Sequence, residues 1–230
     1  MYNSHGIIAF KQVEKGGDIE YLVTQRRNSF SFIQLLRFFH KLSDYEIKQK
    51  ISEITEDEAE RLFSFSFDDI WEDMYINKTN KTFNSERHRA RQNFRSLTQN
   101  YSYEIHLSKT KICEWGLPKG RRKPRETGFN CACREWKEET RIESSKLLII
   151  NTKPFYYTLD YGERQVCVEC WLSSINDTEI IKCETSIRSY ISEEVGNIEW
   201  LSLKLLKNIL PHSIFEMLLN VENFIVENLL

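Results

Sequence analysis

Apolar and polar residues alternate at the start of the chain, and a period of two predicts strands. His5 to Lys11 reads as the first strand and Asp18 to Arg26 as its hairpin partner, with a turn at Lys15-Gly16-Gly17-Asp18. The period then changes. From about 30 to 98, apolar residues recur three and four apart (Phe32, Leu35, Leu36, Phe39, then Ile47, Ile51, Ile54), which predicts helices. Strand patterns return at Lys111 to Leu117, Lys146 to Ile150, Phe155 to Leu159, Gln165 to Leu172 and Asn197 to Leu201. A helix is expected from about Thr127 to Arg141, and the last thirty residues read as helix broken at Pro211. A long helical run inside a β-rich frame predicts an inserted subdomain over 30–108, with the frame at 1–29 and 109–230.

Composition narrows the class. The chain has 230 residues, 40 % hydrophobic and 29 % charged, a globular balance. With 32 basic against 34 acidic residues the net charge is -2, which excludes a uniformly basic nucleic-acid coat but not a local basic patch. Charge does segregate: Ser43 to Asp73 is acidic and Lys78 to Arg95 is basic. No stretch approaches about 18 consecutive apolar residues, so no transmembrane segment is expected. The start MYNSHGIIAFKQ lacks the pattern of a signal peptide, and a soluble cytoplasmic protein is expected; peripheral membrane association would leave little trace. Of six cysteines, only Cys167 and Cys170 have a metal-like spacing, and on a strand they face opposite ways, so reduced structural thiols are expected.

One segment carries chemistry. Gly120 is followed by Glu126, and then by Arg134-Glu135-Trp136-Lys137-Glu138-Glu139-Thr140-Arg141-Ile142. Glu135, Glu138 and Glu139 are spaced i, i+3, i+4, so they share one helix face and repel one another. A divalent cation would turn that repulsion into binding, and all-oxygen ligands suit Mg²⁺ or Mn²⁺. Arg134 and Glu126 could pair and tie the loop to the helix, and Gly120 lets the backbone approach a metal or phosphate. The plain alternative is a solvated acidic helix face.

The full spacing resembles the Nudix box, GX5EX7REUXEEXGU, in which Gly120, Glu126, Arg134, Glu135, Glu138, Glu139 and Ile142 fall in register. Trp136 stands at an aliphatic position, and Arg141 replaces the glycine that ends the helix. If Arg141 is left-handed, that costs about 1 kcal/mol. The resemblance implies an α/β fold, an α/β/α sandwich around a mixed sheet, with an all-helical insertion. It implies metal-dependent attack of water on an X-diphosphate-Y bond, with Gly120 (through its carbonyl), Glu138 and Glu139 as metal ligands. Glu135 would be a ligand or the residue that activates water. A further base outside the box falls best on Glu194, with Asp160 and Glu163 as alternatives. A carboxylate base adds roughly 10²–10⁴-fold.

The substrate is read from the basic residues. Lys119, Arg121, Arg122, Lys123 and Arg125 put five cations beside the expected metal site, which suits a long polyanion. In the helical run Arg87, Arg91 and Arg95 repeat at i, i+4 as a cationic stripe beside Phe94, suited to RNA phosphates and a base; the plain alternative is pairing with the acidic half of the same run. The order of motifs from Gln25 to Gly120 resembles the mRNA-decapping Nudix proteins of large cytoplasmic DNA viruses, most closely the African swine fever virus type. That resemblance implies hydrolysis of m7GpppN-capped RNA to 7-methyl-GDP and 5′-monophosphate RNA in a host cytoplasm, degrading host mRNA. Inositol pyrophosphates or dinucleoside polyphosphates are the alternative substrates. A non-catalytic RNA-binding module is disfavoured by the intact glutamates. Trp71, Trp115, Tyr156, Tyr157, Phe30 and Phe32 are candidates to stack on the cap.

Overall fold

The computed structural model describes residues 2–12, 17–75, 78–79, 81–108, 110, 112–151, 153–160, 165–175 and 194–229. They form two compact units, one of Met1–Gln25 with Trp115–Leu230 and one of Arg26–Glu114. The sequence pattern placed the corresponding breaks at 30 and 108.

The first unit is built on one mixed sheet. Its strands are β1 (Tyr2–Gln12), β2 (Ile19–Arg26), β3 (Trp115–Gly116), β4 (Lys119–Arg121), β5 (Leu147–Ile149), β6 (Phe155–Asp160), β7 (Gln165–Ile175) and β8 (Val195–Ser202). β1 lies parallel to β7 and antiparallel to β2 and β4. β6 pairs antiparallel with β7, and β8 pairs with β2. The expected strand over Lys111 to Leu117 shrinks to Trp115–Gly116, because its ladder with β2 covers only Thr24 and Gln25. Part of the expected β1–β2 turn, and Glu163, lie outside the described residues.

The two sheet faces have separate cores, as the period of two along β1 requires. Ile7 and Ala9 face one way and pack with Ala132 and Trp136 of a helix over Gly128–Thr140. Ile8 and Phe10 face the other way and pack under Leu203–Leu206 and His212–Asn228. Helix, sheet and helix make an α/β/α sandwich. Trp136 is fully buried and fills the apolar side of its helix.

The second unit is helical: α1 (Phe30–Phe38), α2 (Asp44–Glu53), α3 (Glu56–Ser64), α4 (Phe67–Met74), α5 (Lys81–Asn100) and α6 (Ser102–His106). The later helices of the first unit become α7 (Gly128–Thr140), α8 (Leu203–Leu206) and α9 (His212–Asn228). Short polar residues start α1 to α4. Ser43, Thr55 and Ser66 each form a reciprocal capping box, with Glu46, Glu58 and Asp69. Glu58 also accepts from the Ser29 N–H and hydroxyl, and Ser29 caps α1. The unit has its own core around Phe32, Ile51, Ile70 and Trp71.

Candidate active site

The site is assembled by β4, the loop after it and α7. Thr127 caps α7 by accepting from the Asn130 N–H, and the helix ends at Arg141, whose φ of 61° is left-handed. An arginine there costs about 1 kcal/mol relative to glycine. Among the described residues only Arg125 (φ 67°) and Arg141 are non-glycine with positive φ.

Arg134 organises the carboxylates. It holds Glu126 with Nε at 2.9 Å and Nη2 at 2.9 Å, a bidentate pair, and reaches Glu135 at 2.6 Å and Glu138 at 3.0 Å. Nη2 also donates to the Arg121 carbonyl at 3.0 Å, which ties the loop to the helix. The Arg134 bonds and the Lys123 N–H hold Glu126 down to about 2.

Glu135 and Glu139 show the opposite shift. Burial raises Glu135, and the charges of Glu138 and Glu194 add to it. Glu139 is raised to about 8, first by burial and then by the charges of Glu194 and Glu135; the nearby Lys119 charge and the Lys119 N–H oppose the shift. Gly120 is needed for the close approach. A Cβ on it would lie 2.0 Å from Cδ of Glu135. The Gly120 carbonyl accepts from the Cys131 thiol at 3.6 Å.

These features fit a divalent cation. The donors are oxygens, two of the carboxylates sit in a field that disfavours their charge, and the Gly120 backbone is packed against one of them. Among the described residues no three His, Cys, Asp or Glu side chains are gathered closely enough to hold an ion in this arrangement. Glu138 is instead drawn to Arg134 and, at 3.4 Å, to Lys123.

The remaining expected residues divide. Arg121, Arg122, Lys123 and Arg125 are exposed along the loop, and Lys119 lies at its start beside Glu139. Arg122 and Arg125 have no carboxylate partner among the described residues. Arg87 and Arg91 are both bound to Asp68, at 2.7 and 2.5 Å, so their charge is matched within the helical unit. Arg95 is exposed and has no ion pair among the described residues. Trp71, Phe32, Trp115 and Tyr157 are buried in the cores, whereas Phe30 and Tyr156 are exposed.

Two buried features escaped the sequence reading. The β ladders place His5 opposite both Gly120 and Glu169. His5 Nδ1 is 3.1 Å from Glu169 without hydrogen-bond alignment, and Gly128 packs on the ring. The signal was a histidine at an inward position of an alternating strand. The second is Cys131 on the Gly120 carbonyl, for which the sequence carried no signal.

The profile of the NUDIX domain matches residues 96–218, more than half of the chain. The chain belongs to the NUDIX family, and so to a family of hydrolases that generally use divalent metal ions. The match begins within α5 and leaves out β1 and β2, which the helical unit separates from the rest in sequence. Two crystal structures of C. elegans Ap4A hydrolase share the fold: TM-score 0.52 at 14 % identity for a binary complex, covering 99 % of both chains, and 0.50 at 13 %, covering 98 % of both. A protein of Acanthamoeba polyphaga mimivirus, named as a proposed mRNA-decapping protein, is 34 % identical over 94 residues, 40 % of this chain and 25 % of its own. The asymmetrical bis(5′-nucleosyl)-tetraphosphatase of Mus musculus is 37 % identical over 95 residues, 40 % of this chain and 58 % of its own. The chain thus spans about a quarter and somewhat over half of these relatives.

Proposed function

We propose that the chain is an mRNA-decapping pyrophosphohydrolase that cleaves m7GpppN-RNA to 7-methyl-GDP and 5′-monophosphate RNA, and that it is of viral type. The observation that carries this reading is the run of cations from Lys119 on β4 to Arg125 in the loop after it, exposed from Arg121 on, beside the carboxylates of α7, supported by the likeness to the mimivirus protein.

In this reading Glu135, Glu138, Glu139 and the Gly120 carbonyl hold Mg²⁺ or Mn²⁺. Bound there, the cation would neutralise phosphate charge and lower the pKa of water. Arg134 and Glu126 hold the loop and helix in register, and a cation would compete with Arg134 for Glu135 and Glu138. Glu135 or Glu194 takes the proton as the water oxygen attacks phosphorus, and the bond to the bridging oxygen breaks. Lys119, Arg121, Arg122 and Lys123 hold the substrate phosphates. Arg87 and Arg91 would add RNA affinity only where RNA phosphate displaces Asp68 and, for Arg87, Glu72; Arg95 has no carboxylate to displace among the described residues and would add affinity directly.

The test uses RNA labelled in the cap phosphates, with Mg²⁺ or Mn²⁺, and products resolved by chromatography. Release of 7-methyl-GDP that excess uncapped RNA suppresses is expected. A second reading, hydrolysis of dinucleoside polyphosphates, is favoured by the mouse relative. It wins if diadenosine tetraphosphate is cleaved and capped RNA is not.

A further inference from the structure

We propose that the groove beside α7 is a subsite for a phosphate group next to the one being cleaved, and that Arg141 is the residue that binds it. This rests on the decapping reading and extends it to substrate recognition.

The groove has a volume of about 560 Å³ and is bounded by Arg134, Lys137, Glu138, Arg141 and Glu143 among others. On α7 the lining residues Arg134, Lys137 and Glu138 are spaced i, i+3, i+4, so they form one flank of the helix, and Arg141 caps its end. Glu138 belongs both to this flank and to the carboxylate set, so the groove opens from the candidate site itself. Arg141 caps the same helix three residues beyond Glu138, ~5 Å along its axis, and lines the same groove.

The charges single out one residue. Arg134 is matched by Glu126, Glu135 and Glu138. Lys137 is held by Glu143 at 2.8 Å. Arg141 is exposed and has no carboxylate partner among the described residues. Its backbone is left-handed, a conformation glycine would adopt without strain. An arginine in that place gives up stability, and among the described residues no carboxylate uses its guanidinium. A planar fork of donors at the rim of an open groove suits a phosphate held by two oxygens.

Arg141→Gly tests this without a folding ambiguity. It removes the guanidinium and supplies the residue that the backbone favours, so the melting temperature should hold or rise. The probe is 5′-monophosphorylated uncapped RNA, followed by fluorescence anisotropy across a salt series. Its Kd should rise about five- to ten-fold and the slope of log K against log salt should fall by about one. Arg141→Lys should recover part of the affinity, as a point charge without the fork. On capped RNA the loss should appear in KM. An unchanged Kd and salt slope in a folded Arg141→Gly protein overturns the proposal. Absence of 7-methyl-GDP release by the wild type overturns the decapping reading instead, and the anisotropy arm still decides the groove.

Discussion

Replacing Glu139 by Gln should stabilise the metal-free protein at neutral pH while removing its activity. The folded pKa of Glu139 is about 8, against 4.5 for an ordinary glutamate. Between those values the unfolded chain has released the proton and the folded protein keeps it, so folding opposes ionisation and stability falls as pH rises from 4.5 through 8. At pH 7 the full linkage is about 3 kcal/mol. Glu139 is partly open to solvent, which trims the effect, and about 1–3 kcal/mol is expected. Gln keeps an acceptor for the Lys119 N–H and has no charge to desolvate. For a unit of this size that is a rise of several degrees in Tm. The assay is thermal unfolding in EDTA at pH 5 and pH 8. The gap between variant and wild type should be small at pH 5 and wide at pH 8. Adding Mg²⁺ should then raise Tm for the wild type more than for the variant. A variant no more stable than wild type at pH 8 in EDTA would show that Glu139 carries no buried-charge penalty.

Gly120→Ala should leave Tm almost unchanged, since the clash is with the movable end of Glu135, but should lower turnover about 100-fold by displacing that carboxylate; manganese titration followed by EPR should show weaker binding, and wild-type turnover would refute the close-approach argument. Glu126 contributes stability above pH 4.5 that is lost as pH falls through about 2, because its folded pKa is depressed; Glu126→Gln should flatten the acid limb of a Tm–pH curve. Trp71→Ala should cost about 3–5 kcal/mol, seen in denaturant unfolding of the whole chain, because the indole is fully buried and donates to the Phe83 carbonyl at 3.1 Å. Asp68→Asn releases Arg91 and leaves Arg87 with Glu72 alone at 3.6 Å; if the helical unit binds RNA, affinity should rise severalfold and the salt slope should steepen, and no change would remove that face from the RNA path.

What could be read from the sequence follows from how local each feature is. Gly120, Glu126 and Arg134 through Glu139 lie within twenty residues, and helix geometry alone puts the three glutamates on one face. The strain at Arg141 was also legible, as a glycine position filled by arginine. The helix starts carried unread signals, Ser43-x-x-Glu46 and Thr55-x-x-Glu58, which the structure shows as capping boxes. The cationic stripe was legible as a pattern but not as a surface. Its match to Asp68 depends on how α4 packs on α5, and helical spacing says nothing about the facing helix. The same applies to the aromatic candidates, since burial of Trp71 or exposure of Tyr156 is set by partners distant in sequence. The approach of the Lys119 N–H to Glu139 was illegible too, being a backbone contact between a strand and a helix.

The box can be understood as a helix whose like charges are only half compensated. Arg134 reaches Glu126, Glu135 and Glu138 at once and holds them without any added ion, although burial still disfavours the charge of Glu135. Burial and the charges of Glu194 and Glu135 disfavour ionisation of Glu139, and Lys119 opposes them in part, so this side stays unfavourable for charge. A bound cation would gain most where the fold has left charge least satisfied, and the arginine clamp keeps the neighbouring carboxylates in place for it. That division is why removing the Glu139 charge should help the fold while ending the chemistry.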